Sequence, residues 1–301
     1  DSACVLPPYL LKDREIAEMK TLARRFAMEL GVVGLINVQF AIRDGTVYVL
    51  EVNPRASRTI PFIAKATGVP FARLAARVMG GKSLREAGLD PAVEPVPAAV
   101  ALKAAVFPFD KFNVDVILGP EMRSTGEVMG FDESFGMAYA KAQISAGLSL
   151  PTEGTVVITV NQQDKPKATE IARRLHELGF AIRATAGTAR YMRSRGVPAT
   201  PIFKVGEGRP DIADGIISGE VQLLINTPLG KKSQYDDYAM RRTAIAYKIP
   251  YCTTMSAANA ASDAVIALTR RRRSVRSLQE WYGGEGAPPP LPRSADAVRA
   301  R

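Results

Sequence analysis

The stretch LINVQFAIRDGTVYVLEVNPRASR, Leu35–Arg58, decides how the N-terminal part of the chain is read. Leu35–Ile42 and Thr46–Val52 alternate as two strands around Arg43-Asp44-Gly45, a hairpin signal. Alternation puts Asn37, Gln39 and Ala41 on one face of the first strand and Ile36, Val38, Phe40 and Ile42 on the other. Glu51 and Asn53 share a face of the second strand. Whether Gln39 faces Glu51 depends on the turn. A two-residue Asp-Gly loop pairs odd with even positions. A three-residue loop, with Gly45 left-handed, pairs odd with odd and gathers Asn37, Gln39, Glu51 and Asn53. That face would offer one carboxylate and amide carbonyls, the oxygen ligands that Mg²⁺ shares with phosphates. Arg55 and Arg58 could then neutralise phosphate charge. The same residues also suit a solvated hairpin edge closed by Pro54. The metal reading predicts the three-residue loop; spacing alone leaves both readings open.

Working outward, Asp13–Leu30 has helical periodicity, with Ile16, Met19, Ala23, Phe26, Ala27 and Leu30 on one stripe and Gly31 as its stop. Pro70 leads into a helix near Phe71–Met79. Pro91, Pro95 and Pro97 form a connector, Ala98–Phe107 reads as a buried strand, and Gly119–Gly130 is turn-rich and irregular. After GLSLPTEG the pattern changes. Strand patterns at Thr155–Val160, Phe180–Arg183, Val221–Ile225 and Pro250–Thr253 alternate with helix patterns from Lys165 to Leu178, at Ala189–Arg195, Asp236–Lys248 and Ser256–Arg270. In the first of these helices Asp164 is expected to cap, Pro166 to take the first turn and Gly179 to stop it. Such alternation implies an α/β fold with a parallel sheet and helices on both faces. The expected organisation is residues 1–147, residues 148–270, and a basic disordered tail, 271–301.

A second cluster lies in the α/β part. Thr185, Gly187 and Thr188 sit between a strand and a helix start, where backbone N–H groups and the helix dipole favour a phosphate. Lys165, Lys204 and Ile225–Pro228 occupy other loops, and ligands of open α/β sheets bind at the carboxyl ends of strands. Ordinary turn chemistry with solvated lysines remains the alternative.

The formal net charge of +10 favours anionic partners. Much of it is local, in Arg270–Arg273 and Arg276, and no aromatic platform accompanies that run, so nucleic acid is not expected as a partner. Two cysteines, Cys4 and Cys252, give neither metal spacing nor a disulfide framework and fit a reducing, cytoplasmic setting. No apolar run approaches the length of a membrane span and no signal-peptide pattern opens the chain. The start at Asp1 suggests a piece of something longer. His176, late in its helix, reads as a surface residue, and Cys252 as packing.

Gly34–Pro70 closely resembles the ATP-grasp core of the carbamoyl phosphate synthetase large subunit, and Ala76–Leu84 and Gly119–Gly130 continue the likeness. The resemblance implies the C-terminal part of the second synthetase half: a partial ATP-grasp α+β domain followed by a Rossmann-like, methylglyoxal-synthase-like allosteric domain. It assigns Gln39, Glu51 and Asn53 to the Mg²⁺ or Mn²⁺ that bridges ATP phosphates, and Arg55 and Arg58 to the phosphates. It assigns Lys165, Thr185, Thr188, Lys204 and Asn226 to the phosphate of effectors such as UMP or IMP. Ala186 and Pro228 depart from the family pattern. Tyr251 and Thr253 match part of an ornithine site, but Ala104 stands where its acidic group is expected, so ornithine activation should be weak or absent. Further implications are a glutaminase small subunit, an oligomer of heterodimers, a role in arginine and pyrimidine biosynthesis, and the need for upstream parts of the large chain, without which carbamoyl phosphate would not be made. Two other classes stand beside this: a free-standing nucleotide-phosphate sensor, and a methylglyoxal synthase, for which no carboxylate acid/base set is evident in the sequence.

Overall fold

The structure is a computed structural model and describes residues 2–109, 121–227 and 237–283. Asp1, Gly119, Pro120, Pro228 and the chain beyond Gly283 lie outside the described residues. Two compact units are formed, neither continuous in sequence. Among the described residues one, the hairpin unit, gathers residues 4–101, 131–134 and 274–283; the other, the sheet unit, gathers residues 2–3, 102–109, 121–130, 135–227 and 237–273.

The hairpin unit opens with β1 (Cys4–Leu6) and α1 (Asp13–Glu29). Asp13 and Glu15 sit in the first turn of α1, where the helix dipole favours them, and Glu15 accepts from Lys12 N at 2.9 Å. The apolar stripe of α1 is half-buried and Leu30 is exposed; the one buried residue of the helix is Glu15. Strands β2 (Asn37–Arg43) and β3 (Thr46–Asn53) form an antiparallel pair. Then follow α2 (Ile60–Thr67), α3 (Phe71–Met79) and the single-turn α4 (Leu84–Ala87), closed at its start by the Ser83/Glu86 capping box.

The turn joining β2 to β3 is not the three-residue loop. Arg43 pairs with Thr46, leaving Asp44 and Gly45 as a two-residue loop, both left-handed at φ 52° and 77°. That is the geometry whose twist matches hairpin strands. A Cβ on Gly45 would also meet the Arg14 guanidinium at 2.5 Å.

Strands β4 (Val100–Val106) and β5 (Gly126–Asp132) follow. The ordered strand β5 replaces the irregular structure expected up to Gly130. Helix α5 (Phe135–Ser145) follows and is buried nearly all round, at Gly136, Met137, Ala138, Tyr139, Ala140 and Ala142. A helix covered on every side has no amphipathic stripe to read in the sequence. A Cβ on Gly130 would overlap the Ala138 carbonyl oxygen, a backbone atom that cannot swing away. Gly130→Ala is therefore expected to destabilise the fold by about 3 kcal/mol, read as a lower denaturant midpoint with an unchanged slope.

The rest of the sheet unit is β6 (Thr155–Val160), α6 (Lys165–Glu177), β7 (Ala181–Ala184), α7 (Ala186–Arg193), β8 (Thr200–Pro201), α8 (Ile212–Ile217), β9 (Leu223–Thr227), α9 (Tyr238–Ala246), β10 (Tyr251–Cys252) and α10 (Met255–Arg270). The strands stand in the order β10-β9-β6-β7-β8, all parallel. The expected parallel α/β fold is thus the observed one. Val156, Val157 and Ile158 are wholly buried, the continuous apolar run of a strand covered on both faces. On one face Val157 and Leu224 pack with Ile212 and Ile216 of α8 and Met240 and Ala244 of α9. Arg174 of α6 ties to α10 through Asp263 at 2.8 Å and Asn259 at 2.7 Å.

The expected Asp164 cap is not made: its side chain accepts from Asn161 Nδ2 at 2.6 Å, and its own backbone is already helical. Nor is the chain from Arg271 to Gly283 the disordered tail expected. It carries α11 (Leu278–Tyr282), opened by a Ser277/Glu280 capping box, with Trp281 buried. Among the described residues no helix is long and apolar enough to cross a membrane.

Candidate functional site

In the hairpin, pairing begins odd with even: Ile42 with Val47, Ala41 with Tyr48, Phe40 with Val49. Between Gln39 and Phe40 the register shifts, and Leu50 is the extra residue of a β-bulge. Beyond it Gln39 pairs with Glu51, Val38 with Val52 and Asn37 with Asn53. The bulge therefore gathers the four polar side chains that the three-residue turn was expected to gather. The sequence signal is a phase change within VYVLEV: Val47 and Val49 keep one parity and Val52 the other, with Leu50 between.

Gln39 and Glu51 are exposed and Asn53 half-buried. Asn53 donates Nδ2 to Glu51 Oε1 at 2.8 Å, which orients the Asn53 carbonyl oxygen as a remaining acceptor. One carboxylate and two amide carbonyls are a hard oxygen donor set, and it fits a Mg²⁺ or Mn²⁺ that takes its other ligands from phosphate and water. Among the described residues no group of three or more His, Cys, Asp or Glu could hold a metal by itself. After Pro54 the chain turns, with Arg55 N on Asn53 O at 2.8 Å, and exposes Arg55 and Arg58 just before α2.

In the sheet unit the chain moves from β6 to β7 and β8 on one side, then crosses to β9 on the other. This makes the carboxyl end of β6 the topological switch point, where open α/β sheets bind ligands. Lys165 begins α6 just beyond that end, its Nζ donating to Gln162 Oε1 at 2.7 Å and lying 3.5 Å from where a Gly187 Cβ would be. Helix α7 starts at Ala186, three positions before the expected Ala189, so Gly187 and Thr188 belong to its first turn. The first-turn N–H groups of a helix have no intrahelical partner. Thr185, the N-cap residue, makes no side-chain cap and instead bonds Thr188 Oγ1 at 3.3 Å. Asn226, near the end of β9, is 1 % exposed, and among the described residues neither its Nδ2 nor its Oδ1 has a hydrogen-bond partner. Lys204 Nζ stands 3.8 Å from Asp237, a buried carboxylate that sequence reasoning did not place here.

Tyr251 is half-buried; burial raises its phenol, and Arg241 works the other way. Thr253 is exposed and Ala104 buried. Lys103, next to Ala104, pairs instead with Glu127 at 2.8 Å. His176 is exposed, its Nδ1 3.4 Å from Phe180 O. Cys252 is buried, and burial pushes its thiol up to about 12. It is expected to resist iodoacetamide in the native chain at pH 8 and to react once the chain is unfolded in urea, read by mass spectrometry.

Residues 1–87 match the family described as "Carbamoyl-phosphate synthase L chain, ATP binding domain", and residues 167–253 match "MGS-like domain". An ATP-binding region and a methylglyoxal-synthase-like region therefore share this chain. The large chain of carbamoyl phosphate synthase from Gemmatimonas aurantiaca is 54% identical over 283 residues, covering 94% of this chain and 26% of the relative. That of Archaeoglobus fulgidus is 49% identical over 284 residues, with the same coverage of both. A protein from Aquifex aeolicus named as the large chain's C-terminal section is 46% identical over 303 residues, covering 94% of this chain and 56% of the relative. Along almost its whole length the chain is thus similar to one section of the carbamoyl phosphate synthase large chains. It spans about a quarter of the length of the full large chains from Gemmatimonas and Archaeoglobus.

Proposed function

We propose that the chain acts as part of a carbamoyl phosphate synthase large chain, an ATP-dependent ligase, and serves the step in which ATP phosphorylates carbamate. The observation that supports this most is the bulge register, which sets Gln39 against Glu51 and Asn37 against Asn53. Gln39, Glu51 and Asn53 hold Mg²⁺ or Mn²⁺, which when bound offsets charge on the ATP phosphates. Arg55 and Arg58 add positive charge where the transferred phosphoryl group spreads its own. The sheet unit binds an effector by its phosphate, of the UMP or IMP kind, through Lys165, Thr185, Thr188, Lys204 and Asn226. Residues 1–147 and 148–270 are the two functional divisions. A glutaminase small subunit supplies ammonia, heterodimers assemble further in the cytoplasm, and the product feeds arginine and pyrimidine biosynthesis. Ornithine acts weakly or not at all, since Ala104 brings no carboxylate to its ammonium.

The test isolates this step by running it backwards. Carbamoyl phosphate and ADP should yield carbamate and ATP in a Gemmatimonas large chain whose matching section is replaced by this chain. Loss of that transfer in a Glu51→Gln variant supports the reading. Full transfer in the variant sinks it and leaves the chain a nucleotide-phosphate sensor. Elimination of phosphate from dihydroxyacetone phosphate by the chain would instead favour a methylglyoxal synthase.

A further inference from the structure

Helix α2 ends with Ala66 and Thr67, whose carbonyls have no partner further along the helix. The Tyr282 hydroxyl donates to Ala66 O across 216 residues of sequence. Gly68 closes α2 at φ 72°, and a Cβ there would stand 3.0 Å from the Tyr282 ring. The end of α2 is therefore shaped to receive that ring. Beside it Trp281, 5 % exposed, meets Phe131 edge-on at 5.0 Å, and Tyr282 tilts against the same phenyl ring at 6.2 Å. The Arg276 guanidinium lies 5.2 Å from the Trp281 ring centre and 3.8 Å from Glu133. Helix α11 is thus seated by an aromatic cluster, a cation over an indole and a hydrogen bond to a helix end.

The other end of α2 meets the arginine loop. Ile60 N bonds Ser57 O at 3.2 Å, Thr59 N bonds Ser57 Oγ at 3.3 Å, and Ile63 N bonds Thr59 O at 2.9 Å. Ser57, Arg58 and Thr59 are therefore fastened to the first turn of α2, and a shift of that short helix carries Arg58 with it. A displacement of about 1 Å at a charge-stabilising group is enough to slow a reaction by about 10²-fold.

We propose that Trp281 and Tyr282 are positioning residues: α11 clamps the far end of α2 and thereby places Arg58 for phosphoryl transfer. This rests on the phosphoryl-transfer reading above. The first test uses the chain itself. In Trp281→Ala, amides of Ser57–Thr67 should exchange hydrogen at least about ten-fold faster, those of β6 and β9 should keep wild-type protection, and Trp281→Phe should restore α2. Unchanged protection of α2, or equal loosening of β6 and β9, overturns the clamp. The second test uses the same Gemmatimonas replacement chain. Trp281→Ala should lower kcat for ATP formation about ten-fold with KM for ADP held, and Trp281→Phe should recover it. A raised KM at constant kcat, or an unaltered kcat beside a loosened α2, overturns the positioning role. If the replacement chain without substitution makes no ATP, the functional reading fails, and the exchange result still decides the clamp.

Discussion

In the replacement chain described above, Glu51→Gln is expected to slow ATP formation from carbamoyl phosphate and ADP by about 10²–10³-fold, the scale of removing one fixed charge-stabilising group. The substitution changes charge with little change of shape. The new amide oxygen can still accept from Asn53, whose Nδ2 lies 2.8 Å from Glu51 Oε1, so the pair keeps its geometry. Lost is the single carboxylate of the face, and the remaining amide carbonyls are weak ligands for a hard divalent ion. The loss should therefore be partly offset by raising Mn²⁺ or Mg²⁺, which a change in folding would not be. Deleting Leu50 is the informative companion. Gln39 and Glu51 are paired on the far side of the bulge, so removing the extra residue leaves them opposite one another. That variant should keep more activity than Glu51→Gln, even though it changes the length of β3. A Leu50 deletion as damaging as Glu51→Gln would show that the bend of the strand, rather than the facing pair, is what the step requires.

The hairpin also shows where sequence reading stops. Strand alternation and the Asp-Gly turn were legible, but the facing of Gln39 and Glu51 was tied to a three-residue turn that the chain does not make. The answer came from another place, because a bulge leaves only a one-residue phase change while turn residues leave a named signal. The parallel sheet was legible for the opposite reason. Val156–Ile158 and Leu223–Ile225 are continuous apolar runs alternating with helix patterns, and that pattern has few other structural solutions. Helix α5 escaped because its apolar residues are spread around it, with Lys141, Gln143 and Ser145 between them, and form no single stripe. Helix α11 escaped because its burial depends on Phe131 and Gly68, partners remote in sequence, while its neighbours have a disordered composition. The start of α7 was displaced because Thr-Ala-Gly-Thr reads as turn, although the strand before it delivers the chain straight into helical geometry.

Asn226→Leu is expected to make the chain more stable and deaf to its effector. Among the described residues the Asn226 amide has no hydrogen-bond partner; a buried amide in that state costs about 1–3 kcal/mol of desolvation, and an apolar group of similar size removes that cost. Leu224, two positions back on the same face of β9, is wholly buried, and the methyl-bearing Thr159 stands opposite Asn226, so a leucine there meets a largely dry site. The denaturation midpoint of the chain should rise by an amount equal to about 1 kcal/mol or more. The position of Asn226 near the end of β9, beside the switch point where Lys165 and the first turn of α7 converge, would let its amide donate to a phosphate oxygen in the effector site proposed above. Calorimetric titration with UMP and with IMP should accordingly show binding weakened about ten-fold or more in Asn226→Leu, whichever nucleotide the wild-type chain prefers. Lys165→Met should weaken the same binding at least as far, because it removes a full charge, but without the gain in stability, since Lys165 already bonds Gln162. The two variants thus separate a ligand group held at a cost to the fold from one held at none. A less stable Asn226→Leu chain that still binds nucleotide normally would place the phosphate elsewhere and return Asn226 to the core.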